Sequence, residues 1–153
     1  MKTFRRVMVA TDFTSASTAA LREAVHMAQG GDSELIVVHA YATPNVIQAE
    51  AVAPGVYQEW ERNVRLSVET KLSVLIDGAR KAGVNARALA VSGTPDEAIA
   101  EAAERNGADL LVMGTHGRKG VSRFFLGSVA SRVISTAPCP VMTVRPERVS
   151  PSA

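Results

Sequence analysis

The sequence is short of the features that mark several protein classes. Its single cysteine, Cys139, excludes an internal disulfide and leaves no cluster for a structural zinc ion. No apolar run approaches the ~20 residues of a membrane-spanning helix; Leu35–Val38 and Leu110–Met113 are typical of what is present. The basic start, Met1–Arg6, is not followed by a signal-type apolar stretch. Charge of one sign is also lacking: Lys and Arg total 17 against 15 Asp and Glu, a formal charge of +2. A general nucleic-acid binder would carry a larger and more clustered basic excess. There is no internal repeat, no dividing linker and no GxxxxGK[ST] phosphate loop, and Gly117-x-x-Gly120 is not the dinucleotide fingerprint. These absences lead to the expectation of a cytoplasmic protein with no membrane and no nucleic-acid partner. Its 153 residues, 46% of them hydrophobic, suit one domain with a sizeable core, expected over residues 1–146 with a flexible tail at 147–153.

What is present is an alternation of short apolar runs and helical stripes. Phe4–Ala10, with Val7, Met8 and Val9, reads as a buried strand ending at Thr11-Asp12. Ser15 or Ser17 is placed to cap a helix carrying Leu21, Ala24, Val25 and Ala28, which Gly30-Gly31 stops. Leu35–Ala40 is a second strand, and residues 42–55 form a connection. A long helix follows, striped by Trp60, Val64, Val68, Leu72, Leu75 and Ala79 and ended by Gly83. Ala86–Val91 is weakly hydrophobic, which suits a sheet edge. Thr94-Pro95-Asp96-Glu97 then combines a threonine cap, proline in the first helical position and a glutamate able to cap in return. That helix ends near Asn106-Gly107. Leu110–Met113 is a fourth strand, Gly127-Ser128 opens a helix that Pro138 closes, and Val141–Val144 is a fifth strand. Strands alternating with helices imply parallel pairing and a three-layer α/β/α sandwich. Ligands of such sheets sit beyond the carboxyl ends of the strands, at the loops Thr11–Thr14, Ala40–Thr43, Ser92–Thr94 and Gly114–Leu126.

The last of these loops carries the chemistry. Gly114-Thr115-His116-Gly117 is followed by nine residues and then Gly127-Ser128. A connection of roughly a dozen residues exceeds the usual ~2–6 between strand and helix, and long ordered loops tend to be functional. Glycine lets a ligand approach the backbone, and Gly127-Ser128 stands where free amides and the positive end of a helix dipole would face an anion. The Ser128 hydroxyl adds a donor, and Arg118, Lys119 and Arg123 add positive charge. These are the parts of a polyphosphate cradle. A surface loop with glycine turns and solvated cations would use the same residues.

The combined spacing, Gly114-x-x-Gly117, nine residues, Gly127-Ser128, resembles the signature of the ATP-binding branch of the universal stress protein family. The likeness runs from about residue 4 to 145. It includes Ala10-Thr11-Asp12, Val37–Ala40, the run Ala108–Gly117, Leu126–Ala130 and Pro138–Val141. A second branch of that family lacks the glycine pattern and does not bind ATP. The resemblance implies a Rossmann-like, five-stranded parallel sheet of order 3-2-1-4-5, similar to the adenine-nucleotide alpha-hydrolases, with the nucleotide over strands 1 and 4. It implies ATP with Mg2+ as ligand. Asp12 would serve the ribose or the phosphate-bound metal, and the Ala40 backbone would read the adenine edge. Gly114, Gly117, Gly127, Ser128 and the Val129 amide would hold phosphates, with Ala10, Thr11, Met113, His116 and Arg118 completing the site. A homodimer through Val141, Met142, Thr143 and Val144 is also implied. Electron-transfer flavoproteins and PP-loop enzymes share the architecture, but this chain has no SGGxDS-type loop.

Each residue also has a plainer role. Asp12 could cap the first turn, His116 could be a bystander, and Arg118–Arg123 could be a solvated rim. His39 fits a hydrogen-bonded core histidine, His26 a surface residue, Cys139 a small buried hydrophobe, and Trp60 the core or an interface. Three functions follow: a nucleotide-binding stress-response or regulatory protein whose ligand biases conformation or oligomeric state, a slow ATPase, or a nucleotide-independent dimeric interaction module. Hydrolysis could draw on Asp12 with a metal and on Arg118 or Lys119, but no general base is evident.

Overall fold

The computed structural model describes residues 4–43, 50–116 and 126–146, and in it the apolar runs assemble as one sheet. Strand β1 (Arg6–Ala10) leads to helix α1 (Ser15–Ala28), β2 (Glu34–Tyr41), α2 (Val56–Lys81), β3 (Asn85–Ser92), α3 (Pro95–Arg105), β4 (Leu110–Gly114), α4 (Ser128–Thr136) and β5 (Val141–Val144). The strands are parallel, in the order β3-β2-β1-β4-β5. That is the order the resemblance implied, and the weakly hydrophobic third strand does lie at an edge.

Alternation along the strands divides the interior between two faces. Val7, Val9, Leu35, Val37 and Val112 meet α1 and α2 on one face. Met8, Ile36, Val38, Leu111 and Met113 meet α3 and α4 on the other. Both sides of the central strands are covered, so β1 is apolar at consecutive positions; Val7, Met8 and Val9 are fully buried. Helix α1 turns alanines inward (Ala16, Ala20, Ala24 and Ala28), and their small side chains let it approach the sheet closely.

Three local expectations need correction. The N-cap of α1 is Thr14, whose side chain accepts from the Ser17 amide; Ser17 lies inside the helix and donates its hydroxyl back to the Thr14 carbonyl at 2.9 Å. Thr94 does precede α3, with Pro95 in the first turn, but its hydroxyl makes no capping bond. The Thr94 carbonyl nonetheless starts the helix by accepting from the Ala98 amide at 2.8 Å. Of the two roles weighed for Trp60, core or interface, the core one falls: Trp60 belongs to neither core. Helix α2 has 26 residues, about 39 Å at 1.5 Å per residue, and overhangs strands of at most 8 residues, about 26 Å. Its buried stripe is Val68, Leu72, Ile76 and Ala79, while Trp60 on the overhang stays 40% exposed. Among the described residues no helix is long and apolar enough to cross a membrane. The expected tail, 147–153, lies outside the described residues.

Candidate functional site

At the carboxyl end of β1 the chain turns sharply. The Thr11 amide still bonds the Val38 carbonyl at 2.9 Å, continuing the ladder, while the Thr11 hydroxyl accepts from the Phe13 amide at 3.0 Å and meets the Ser17 hydroxyl at 3.1 Å. Asp12 Oδ1 accepts from the Thr14 amide at 3.0 Å and from the Thr14 hydroxyl. The plain role weighed for Asp12, organising the first turn, is therefore real, and its half-buried carboxylate also lines a cleft. Phe13 takes a positive φ of 64°, a conformation that bulky residues rarely adopt.

Gly114 ends β4, and its missing side chain has a packing cause. A Cβ there would stand 2.9 Å from the Ala16 carbonyl carbon and 3.1 Å from its methyl group. The glycine thus lets the start of α1 close against β4, which brings Asp12 toward the loop. Thr115, next along, is buried and tied twice: its amide donates to the Val144 carbonyl at 3.0 Å, and its carbonyl accepts from the Gly127 amide at 2.7 Å. The Gly127 amide is thereby committed to Thr115, which leaves Gly127 as a lining residue of the cleft without a free amide donor. Helix α4 begins at once, with the Ser131 amide bonded to the Gly127 carbonyl at 2.9 Å. The amides of Ser128, Val129 and Ala130 precede that first bond and have no acceptor within the helix. The Thr115 hydroxyl and His116 Nδ1 are 2.8 Å apart, and the half-buried imidazole faces the cleft. Gly117, Arg118, Lys119 and Arg123 lie outside the described residues.

The cleft between these rims has a volume of about 1180 Å³. Ala10, Thr11, Asp12, Ala40, Met113 and Gly114 line it, as do His116, Gly127, Ser128 and Val129, so every described residue expected at the nucleotide site is brought together. Val141–Val144 stand apart, on the far edge of the sheet. His39 is buried as expected, its Nδ1 donating to the Thr11 carbonyl at 2.7 Å; a carbonyl only accepts, so Nδ1 carries the proton. Its ring lies 4.6 Å from that of Phe13.

One wall was not foreseen. Trp60, Asn63, Val64, Ser67 and Lys71 line the cleft from α2, and Lys71 Nζ sits 5.3 Å above the Phe13 ring. Their positions in the sequence, 60, 63, 64, 67 and 71, repeat with helical spacing, and polar residues interleaved in an apolar stripe are the signal that could have found them.

Chemically, the start of α4 suits an anion: its first-turn amides have no acceptor within the helix, and the helix dipole and the Ser128 hydroxyl lie beside them. Asp12 is the one carboxylate among the described residues that line the cleft. That suits Mg2+, which keeps several waters and binds through one or two carboxylates plus substrate phosphates. Cys139 lies away from the cleft beside the α3/α4 core, where burial raises its thiol pKa.

A family model described as the universal stress protein family matches residues 3–145. A universal stress protein of Thermus aquaticus is 34% identical over 143 residues, covering 93% of this chain and 99% of that protein. Among solved structures, universal stress protein UspA from Lactobacillus plantarum superposes with a TM-score of 0.80 at 22% identity, over 95% of this chain and 100% of its own. A universal stress protein solved in complex with cAMP superposes with a TM-score of 0.67 at 26% identity, over 95% and 100%.

Proposed function

We propose that this chain, which belongs to the universal stress protein family, binds an adenine nucleotide, ATP with Mg2+, in the cleft over β1 and β4. The observation that carries the reading is the start of α4. Its first-turn amides and the Ser128 hydroxyl open into the same cleft as Asp12, at the point where strand order reverses. The phosphates would lie on Ser128 and Val129, the metal would join Asp12 to the phosphates, and the base would reach the Ala40 backbone. Bound Mg2+ would neutralise phosphate charge there. The related structure solved with cAMP supports the adenine class of ligand.

The output is regulatory. Binding one state better than another biases conformation or assembly. The assembly surface would be β5, a four-residue edge strand whose Val141–Val144 side chains are half-buried and whose outer edge faces away from β4. The test is thermal unfolding of the full chain with and without Mg-ATP. A ligand held in ~100-fold excess over its Kd adds about 2.7 kcal/mol of stability. Gly127→Val, which adds bulk where phosphate would approach, should remove most of that gain. An unchanged melting temperature in millimolar Mg-ATP overturns the reading.

A further inference from the structure

The cleft straddles the rim of the sheet, and the nucleotide reading uses one side of it. Ala40 packs toward the α3/α4 core, whereas Tyr41 belongs to the α1/α2 core and Phe13 packs against that same core. His39 shares the face of Tyr41, because strand side chains alternate. The cleft therefore continues over the rim, past the Phe13 and His39 rings, to the overhanging end of α2. Its volume of about 1180 Å³ also exceeds the ~300–1,000 Å³ of a pocket sized for one small ligand.

We propose that this α2 side is a second compartment that binds a flat aromatic anion beside the nucleotide. The walls state the chemistry. Trp60, Phe13 and Val64 offer apolar and ring surface, Asn63 and Ser67 offer hydrogen bonds, and Lys71 offers the cation. Lys71 Nζ is held above the Phe13 ring at 5.3 Å, so a ring stacked there would carry its carboxylate or sulfonate within reach of the ammonium. Asp12, the acidic group lining the boundary between the two sides, has Oδ1 engaged by Thr14. Phe13 holds a left-handed backbone at φ 64°, and in that conformation its ring meets both His39 and Lys71. Strain of this kind persists only where the surroundings impose it and clusters at ligand clamps.

The proposal rests on the nucleotide reading only in assigning the α4 side to ATP. Trp60 is the sole tryptophan of the sequence and lines this compartment, so one donor reports the probe and the Lys71 and Asn63 variants locate it. The probe is anilinonaphthalene sulfonate, titrated into the full chain while energy transfer from Trp60 is followed. Transfer should saturate, and saturating Mg-ATP should leave the probe's Kd within about twofold. Lys71→Met should weaken the probe at least tenfold with the melting temperature unchanged, since Lys71 is exposed. Asn63→Asp, which adds a like charge, should weaken it in the same direction. Loss of transfer on adding Mg-ATP overturns the proposal, as does an unchanged Kd in Lys71→Met. If ATP never stabilises the chain while the probe still depends on Lys71, the compartment stands and the nucleotide reading fails.

Discussion

The two ends of the sheet are built from similar residues and behave oppositely. At the amino-terminal rim, polar groups consume one another. The Asp109 carboxylate accepts from the Arg5 and Arg6 amides at 2.8 and 3.0 Å, and the Ser33 hydroxyl donates to the Phe4 carbonyl. Arg87 bridges Glu34 at 2.7 Å and Asn106 at 2.8 Å. The hollow there, about 390 Å³, is lined by Arg5, Arg6, Asp32, Glu34 and Asp109, whose charges oppose one another. At the carboxyl-terminal rim the side chains organise turns, but the first-turn amides of α4 have no partner in their own helix, and the cleft is three times larger. One rim is closed by its own hydrogen bonds, whereas at the other the first-turn amides have no acceptor within their helix and open on the cleft. The contrast between the rims lies in where the donors are spent, not in where charge is densest.

Three substitutions sharpen or break that contrast. Gly114→Ala should have the largest effect: its methyl meets Ala16 backbone at 2.9 Å, so α1 must move. A loss of about 2 kcal/mol is expected, in the range of overpacked cores, with nucleotide affinity falling at least tenfold because Asp12 rides on the displaced turn. Denaturant unfolding and a nucleotide titration check both; retained affinity would show that the rims are not built so differently. Asp109→Ala leaves two backbone amides without their acceptor and should cost about 1–2 kcal/mol, discounted for partial exposure. Here nucleotide affinity should stay within twofold, as the closed rim takes no part in binding. Thr94→Ala is the smallest. Loss of an N-cap residue typically costs ~1 kcal/mol, but this hydroxyl caps nothing, so a change below about 0.5 kcal/mol is expected in the same unfolding measurement.

Legibility in the sequence followed the range of the interactions. Strand and helix positions were readable because apolar period and punctuation are local: Gly83 with φ 82° does end α2, and Pro95 does open α3. Strand order was not readable from periodicity, since nothing local says that β1 lies between β2 and β4; the family likeness supplied it. At the site, the α4 side could be read from glycine spacing, although Gly114 turned out to serve helix packing and Gly127 to spend its amide on Thr115. The α2 side escaped notice because a wall residue and a core residue look alike one helical turn apart, and only the length by which α2 overshoots the strands separates Trp60 from Val68. Phe13 gave no signal, because left-handed backbone is anticipated at glycine or asparagine and not at phenylalanine.

Thr115 has a consequence for regulation. Its amide belongs to the outermost strand through Val144, and its carbonyl belongs to the start of α4 through Gly127. A single residue therefore joins the proposed assembly edge to the proposed phosphate site through its two flanking peptide units, with no chain of intermediaries between them. If a partner copy on β5 favours one placement of Thr115, phosphates on α4 must favour or oppose that placement by the same free energy, because linkage between two binding events is reciprocal. Nucleotide concentration and subunit concentration then become two handles on one equilibrium, and turning either one moves the reading of the other.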